Sequence, residues 1–201
     1  IYAEYFRYIN PYFIVYEWLR GHYKNDIYGY ATLTYKFNNN WEIMGRTQVT
    51  TYDLTRTEKF PFSAGSYGRE ERLGDYREDR RSLFENNTEV MLRYNKNLGR
   101  LLNLNAFVGG NLRSFSYTSN YTTTDYLNVP GVYNFSNTRN PLGAFNFNSD
   151  MRVLSGYYSF DLGIGRFANL NTTGRVDKIS TLPTKNNSYF YPSVSLSTVV
   201  S

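Results

Sequence analysis

A chain of 201 residues with a net charge of +5, 41% hydrophobic residues and a mean hydropathy of −0.55 is long enough for one or two domains but thin in core-forming side chains. It has no cysteine, which excludes disulfides and thiol chemistry, and no apolar run of roughly 18 residues, which excludes a transmembrane helix. No secretory leader and no Lys/Arg-rich block with interleaved aromatics are visible, so nucleic acid is not an expected partner, and a chain opening on Ile1 reads as a piece of something longer.

The strands come in order. Residues 27–37 set Ile27, Ala31, Leu33, Tyr35 and Phe37 against Tyr28, Tyr30, Thr32, Thr34 and Lys36, a period of two that predicts a half-buried strand. Asn38-Asn39-Asn40 turns it, because Asn bonds its own backbone and tolerates left-handed φ. The return strand, 41–52, places Trp41, Ile43, Thr47 and Val49 opposite Glu42, Met44, Arg46 and Gln48. A third strand, 86–94, opposes Thr88, Val90, Leu92 and Tyr94 to Asn87, Glu89, Met91 and Arg93. After a turn at 95–100, a fourth strand over 101–115 sets Leu102, Leu104, Ala106 and Val108 against Asn103, Asn105, Phe107 and Asn111. The fifth, 153–162, is turned at 163–166, and the sixth opposes Ala168, Leu170, Thr172 and Val176 to Asn169, Asn171, Thr173 and Arg175. The seventh, 189–200, carries Val194, Leu196, Thr198 and Val200.

No amphipathic helix is expected. The charge run from Arg69 to Arg81 reads as a solvated loop with room for one helical turn, or as a cation site built on Glu70, Glu71, Asp75 and Asp79, although the spacing is not that of a calcium loop. The connections alternate in length: short at 38–40, 95–100 and 163–166, long at 53–85, 116–152 and 177–188. Compact soluble domains seldom carry two such long structureless loops. An outer-membrane barrel has short periplasmic turns on one rim and long extracellular loops on the other. Aromatics make up 18% of the chain, and Tyr35, Phe37, Trp41 and Tyr94 fall beside short turns on the apolar face, where an interfacial girdle belongs.

These patterns predict an all-β fold, about seven strands of a larger transmembrane antiparallel β-barrel. Leu33, Ile43, Val90, Leu92, Leu104, Val108, Leu170 and Leu196 are then lipid-facing. Glu42, Arg46, Gln48, Glu89, Arg93, Asn103, Asn105, Asn169, Asn171 and Arg175 are lumen-facing. A soluble β-sandwich that binds glycans is the competing architecture. Gly109-Gly110 reads as a site of barrel curvature or close packing.

Catalytic chemistry has little to stand on. His22 is the single histidine and lies in a loop-like stretch with no second metal ligand at matching spacing. The Gly163–Ala168 segment has a dinucleotide-like glycine pair but is followed by a strand rather than a helix. No G-x-S-x-G occurs, and no pair of acids is picked out by spacing. Neither an enzyme activity, a cofactor nor a metal is expected.

Several segments carry a resemblance: N-P-Y-F-I-V-Y-E (Asn10–Glu17), F-V-G-G-N (Phe107–Asn111), L-N-V-P-G-V-Y-N-F-S-N (Leu127–Asn137), N-T-T-G-R-V-D-K-I-S-T-L-P (Asn171–Pro183) and N-N-S-Y-F-Y-P-S-V-S-L-S (Asn186–Ser197). Together they resemble the middle of the barrel in SusC-like (starch-utilisation-type) TonB-dependent outer-membrane transporters. The chain departs from that pattern where G-I-G-R-F-A-N-L follows the fifth strand.

The resemblance implies residues 1–201 as part of such a barrel, without the plug domain and the remaining strands. It implies a place in the outer membrane of a Gram-negative bacterium and contact with its lipid. It further implies a SusD-like surface lipoprotein as lid, energy coupling to TonB through parts not in this chain, and an oligosaccharide or oligopeptide as substrate. A passive porin is the alternative barrel. Asn111, Arg113, Tyr117, Tyr121 and Tyr126 are the candidate substrate contacts, polar groups and aromatic faces near the top of the fourth strand.

Overall fold

The structure, a computed structural model, describes residues 4–5, 8–64 and 71–199. Strands β1 (Glu4–Tyr5) and β2 (Tyr8–Ile9) form a small antiparallel pair. Helix α1 (Pro11–Tyr16) follows. The Asn10 side chain caps it by accepting the Tyr12 N–H at 2.9 Å, and Pro11 sits in the first turn, where no N–H is needed. This helix was not expected. Six residues are too few to show a helical period, but the N-P start signal was present.

Seven strands make the main sheet: β3 (Leu19–Lys36), β4 (Trp41–Phe60), β5 (Asp75–Leu98), β6 (Leu102–Leu127), β7 (Thr138–Ile164), β8 (Ala168–Ile179) and β9 (Ser188–Thr198). They are antiparallel neighbours in chain order within one sheet. A sandwich would divide them between two packed sheets, so the architecture is that of a barrel segment. Each of the seven expected strands is present; Val200 lies outside the described residues. The register pairs Leu162 with Leu170 and Leu170 with Leu196, which lines these leucines up across three strands.

The short turns fall where they are expected. Asn38 Oδ1 accepts the N–H groups of Asn40 (2.8 Å) and Trp41 (2.9 Å), the side-chain-to-backbone bonding that makes Asn a turn former. Gly99 (φ +76°) and Gly165 (φ +56°) supply left-handed positions in the other two.

The long connections are much shorter than expected. β4 runs to Phe60 and β5 begins at Asp75, so most of 53–85 is strand. β6 runs to Leu127 and β7 begins at Thr138, so 116–152 is strand too, apart from 128–137. The run from Asp75 to Arg81 is therefore the start of β5, not a loop or a helical turn. His22 lies within β3 rather than in a loop. The cation site does not form among the described residues. Glu71 pairs with Arg139, Asp75 accepts the Tyr126 N–H, Asp79 is held by Arg81, and Glu70 is outside the described residues.

Contacts divide the chain into two compact units. The loop unit holds Ile1–Asp26, Thr51–Leu83 and Tyr117–Ser149; the turn unit holds Ile27–Thr50, Phe84–Ser116 and Asp150–Ser201.

In the loop unit, Phe13, Leu54, Ala64 and Leu127 are buried, and so are Asp75 and Thr124. Thr124 Oγ1 accepts the Tyr76 N–H at 2.8 Å, and Asp75 Oδ1 accepts that of Tyr126 at 3.0 Å. Burial, and then the Glu78 carboxylate, pushes the Tyr76 phenol above its ordinary pKa, so it stays a neutral hydroxyl. Gly74 has φ +78° and its carbonyl accepts the Leu127 N–H at 3.2 Å; a Cβ there would collide with the Phe60 carbonyl oxygen. Gly74→Ala is therefore expected to destabilise this unit by about 1–2 kcal/mol from left-handed strain alone. Faster proteolysis near 61–74 in the mutant would register it, and unchanged cleavage would refute it.

In the turn unit the buried side chains are few, Met44 and Ser155 among them. Its apolar face has no core beneath it. Leu33 is 79% exposed, Val108 56% and Leu196 66%.

Candidate functional site

The polar side chains of the turn unit make a series of hydrogen bonds and ion pairs on the face that alternates with those leucines and valines. Arg93 Nη1 reaches Glu42 Oε1 at 3.5 Å, and Arg46 Nε donates to Thr32 Oγ1 at 3.3 Å. Arg46 Nη2 also lies 3.9 Å from the Met44 sulfur, and Arg93 Nε 3.3 Å from that of Met91. Asn87 accepts from Asn111 Nδ2 at 2.8 Å, and Glu85 pairs with Arg113 at 2.7 Å. The Tyr157 hydroxyl donates to Glu89. Asn105 donates to Asn103 at 2.8 Å, Asn103 to Asn97, and Asn169 and Asn171 both donate to Asp161 Oδ2, at 3.1 and 3.2 Å. Arg175 bridges Asp177 (2.8 Å) and the buried Ser155 hydroxyl (2.9 Å).

A concavity of about 470 Å³ brings Arg93, Asn105, Asp161 and Asn171 together from four different strands. Nine of the ten residues expected to face the lumen have a side-chain hydrogen bond or ion pair. For Gln48 the recorded bond is through its backbone carbonyl, to Asn86 at 3.4 Å. On the opposite face Leu33, Val90, Val108 and Leu196 are exposed, and Ile43, Leu92, Leu104 and Leu170 partly so. The aromatics expected to form a girdle meet in pairs, Tyr35 edge-on to Phe37 at 5.1 Å and Trp41 tilted on Tyr94 at 4.5 Å.

The five candidate substrate contacts are divided between the two units. Asn111 and Arg113 belong to the turn unit. Tyr117 and Tyr121 are in the loop unit, each facing a phenylalanine of β7: Tyr117–Phe147 at 6.2 Å and Tyr121–Phe145 at 6.1 Å. Tyr126, the penultimate residue of β6, has φ +62°, and its backbone N–H donates to Asp75 Oδ1.

A second surface, in the loop unit, was missed by sequence reasoning because it lies on strand taken for loop. A concavity of about 370 Å³ is lined by residues that include Arg20, His22, Arg56, Glu58, Arg77, Asp79 and Tyr121. Glu58 accepts from Trp18 Nε1 (2.7 Å), Arg20 Nε (3.3 Å) and Arg77 Nη1 (3.1 Å). Asp79 holds Arg81, its Oδ2 lying 2.7 Å from Nη2. The available signal was the i, i+2 charge pairing: Arg81–Asp79, Arg80–Glu78, Arg175–Asp177 and Lys24–Asp26 all join residues on one face of a strand.

The sequence matches no family model and no curated protein. The fold does have solved counterparts. The RagAB peptide transporter matches with a TM-score of 0.78 at 15% identity, over 94% of this chain and 21% of that chain. The RagAB peptide importer matches in its closed-closed state (TM-score 0.77, 14% identity) and in its open-open state (0.78, 14%), with the same shares of both chains. The chain thus spans about a fifth of the length of these counterparts. The likeness is one of fold, and the fold is the one that the resemblance to SusC-like transporters implied.

Proposed function

We propose that this chain is a barrel portion of an outer-membrane importer for oligopeptides. The single observation that supports it best is the two-faced sheet. Paired charges and amides cover one face, and exposed leucine and valine cover the other, in a fold matched by peptide transporters. Hydrocarbon takes the apolar face; a hydrated lumen takes the polar one, where charges stay solvated or paired. The chain's role is passage and binding rather than catalysis. The resemblance adds a SusD-like surface lipoprotein that closes over the barrel, and TonB acting through parts of the protein outside this chain. Oligosaccharides are the second substrate class. The aromatic rings of Tyr117 and Tyr121, on the same strand as Asn111 and Arg113, support it by offering faces on which sugar rings stack.

The intact mass of the membrane-extracted polypeptide, with identification of what co-purifies, tests this reading. A chain much heavier than 23.5 kDa accompanied by a surface lipoprotein is the expected result. A water-soluble species of 23.5 kDa would overturn the importer reading.

A further inference from the structure

We propose that the loop-unit concavity is a carboxylate-binding subsite for the transported solute, with Arg56 and Arg77 as its principal donors. This rests on the importer reading and names the chemistry that one part of the binding surface selects.

The argument is one of charge and of unmet donors. Arg20, Arg56, Arg77 and Arg81 stand around the concavity or against its lining, facing the carboxylates of Glu58 and Asp79. Glu58 already takes Trp18, Arg20 and Arg77, and Asp79 takes Arg81. Arg56 is exposed and has no carboxylate partner among the described residues, so its charge is free to meet a solute. Arg77 keeps its Nε buried without an acceptor. A guanidinium offers five donors in a planar fork that matches a carboxylate, and a buried donor left unmet is costly. The acids therefore fix the arginines in place without neutralising them. Four guanidiniums against two carboxylates leave an anion-attracting field.

The walls fit an anion carried on a bulky body. Tyr121, paired with Phe145, supplies an aromatic side. Peptides bring such a carboxylate on Asp, Glu or the C-terminus; acidic glycans bring it on a uronate.

The test uses the full-length transporter purified with its co-purifying lipoprotein. Four fluorescent probes are compared: a Gly/Ala/Phe heptapeptide amide carrying two Glu, the same peptide with two Gln, trigalacturonate, and its methyl ester. One acid probe is expected to bind about tenfold more tightly than its neutral partner, the scale of one added charge-assisted hydrogen bond. Arg56→Gln should reduce that preference to about twofold or less while leaving the neutral probe's affinity in place, and Arg56→Lys should restore part of it. The acid probe that wins identifies the source of the carboxylate. Binding of acid and neutral probes with equal affinity overturns the subsite but leaves the importer reading intact, and so does an acid preference untouched by Arg56→Gln. Failure of every probe to bind overturns both.

Discussion

Leu104→Arg is expected to cost the barrel about 2–4 kcal/mol, and Asn105→Arg close to nothing. The two residues are neighbours on β6, so backbone, depth and strand propensity are nearly matched, and the face decides the difference. Leu104 lies on the side of Val108, which is 56% exposed with no protein packed over it. If that side meets hydrocarbon, a guanidinium there must be dragged out of water or must snorkel to the interface. Asn105 lies on the side of Asn103, to which it donates at 2.8 Å, and lines the concavity with Arg93, Asp161 and Asn171. An arginine at 105 extends into the hydrated face and finds Asp161 nearby. Denaturant titration of the full-length protein refolded in detergent measures both variants. Equal damage from the two would sink the assignment of lipid and lumen faces.

The same alternation explains what the sequence made legible. Ile43 against Glu42, Val90 against Glu89 and Leu104 against Asn105 differ in polarity at every step, so strand, register and face could all be read there. Beyond Tyr52 the contrast disappears. Thr55, Thr57 and Lys59 alternate with Arg56 and Glu58, and both sets are polar. A strand with polar side chains on both faces keeps its backbone hydrogen bonds but loses the hydrophobic period, so 53–60 and 75–85 looked like loop. The charge run at 75–81 carries a different strand signature, opposite charges two residues apart, which puts partners on one face. Ser116–Thr124, dense in Tyr and Thr, held a propensity signal that the emphasis on apolar alternation passed over. The loop-unit arginines were hidden for the same reason, since their chemistry sits on segments without an apolar face. Helix α1 and the left-handed φ of Tyr126 depend on local capping and tertiary bonds that no periodicity encodes.

The Phe107–Asn111 segment leads to the second large effect. Gly109 on β6 has the ring of Tyr157 laid over it: a Cβ at this position would stand 2.5 Å from Tyr157 Cζ. That ring also meets Phe107 edge-on at 6.1 Å, and its hydroxyl donates to Glu89. The glycine thus acts as a socket that lets a tyrosine lie flat across three strands and reach a carboxylate. Gly109→Val must push the ring away. The expected loss is about 2–4 kcal/mol, combining overpacking with the broken bond to a charged acceptor. Gly45→Val is the control, because a Cβ at Gly45 meets nothing within 4 Å and valine suits a strand; it should change stability by less than about 0.5 kcal/mol. If the damage acts through the ring, Gly109→Val in a Tyr157→Ala background should cost far less than in the wild type, a coupling that a double-mutant cycle isolates. Additive costs across that cycle would mean that Gly109 is required for backbone curvature rather than as the seat of Tyr157.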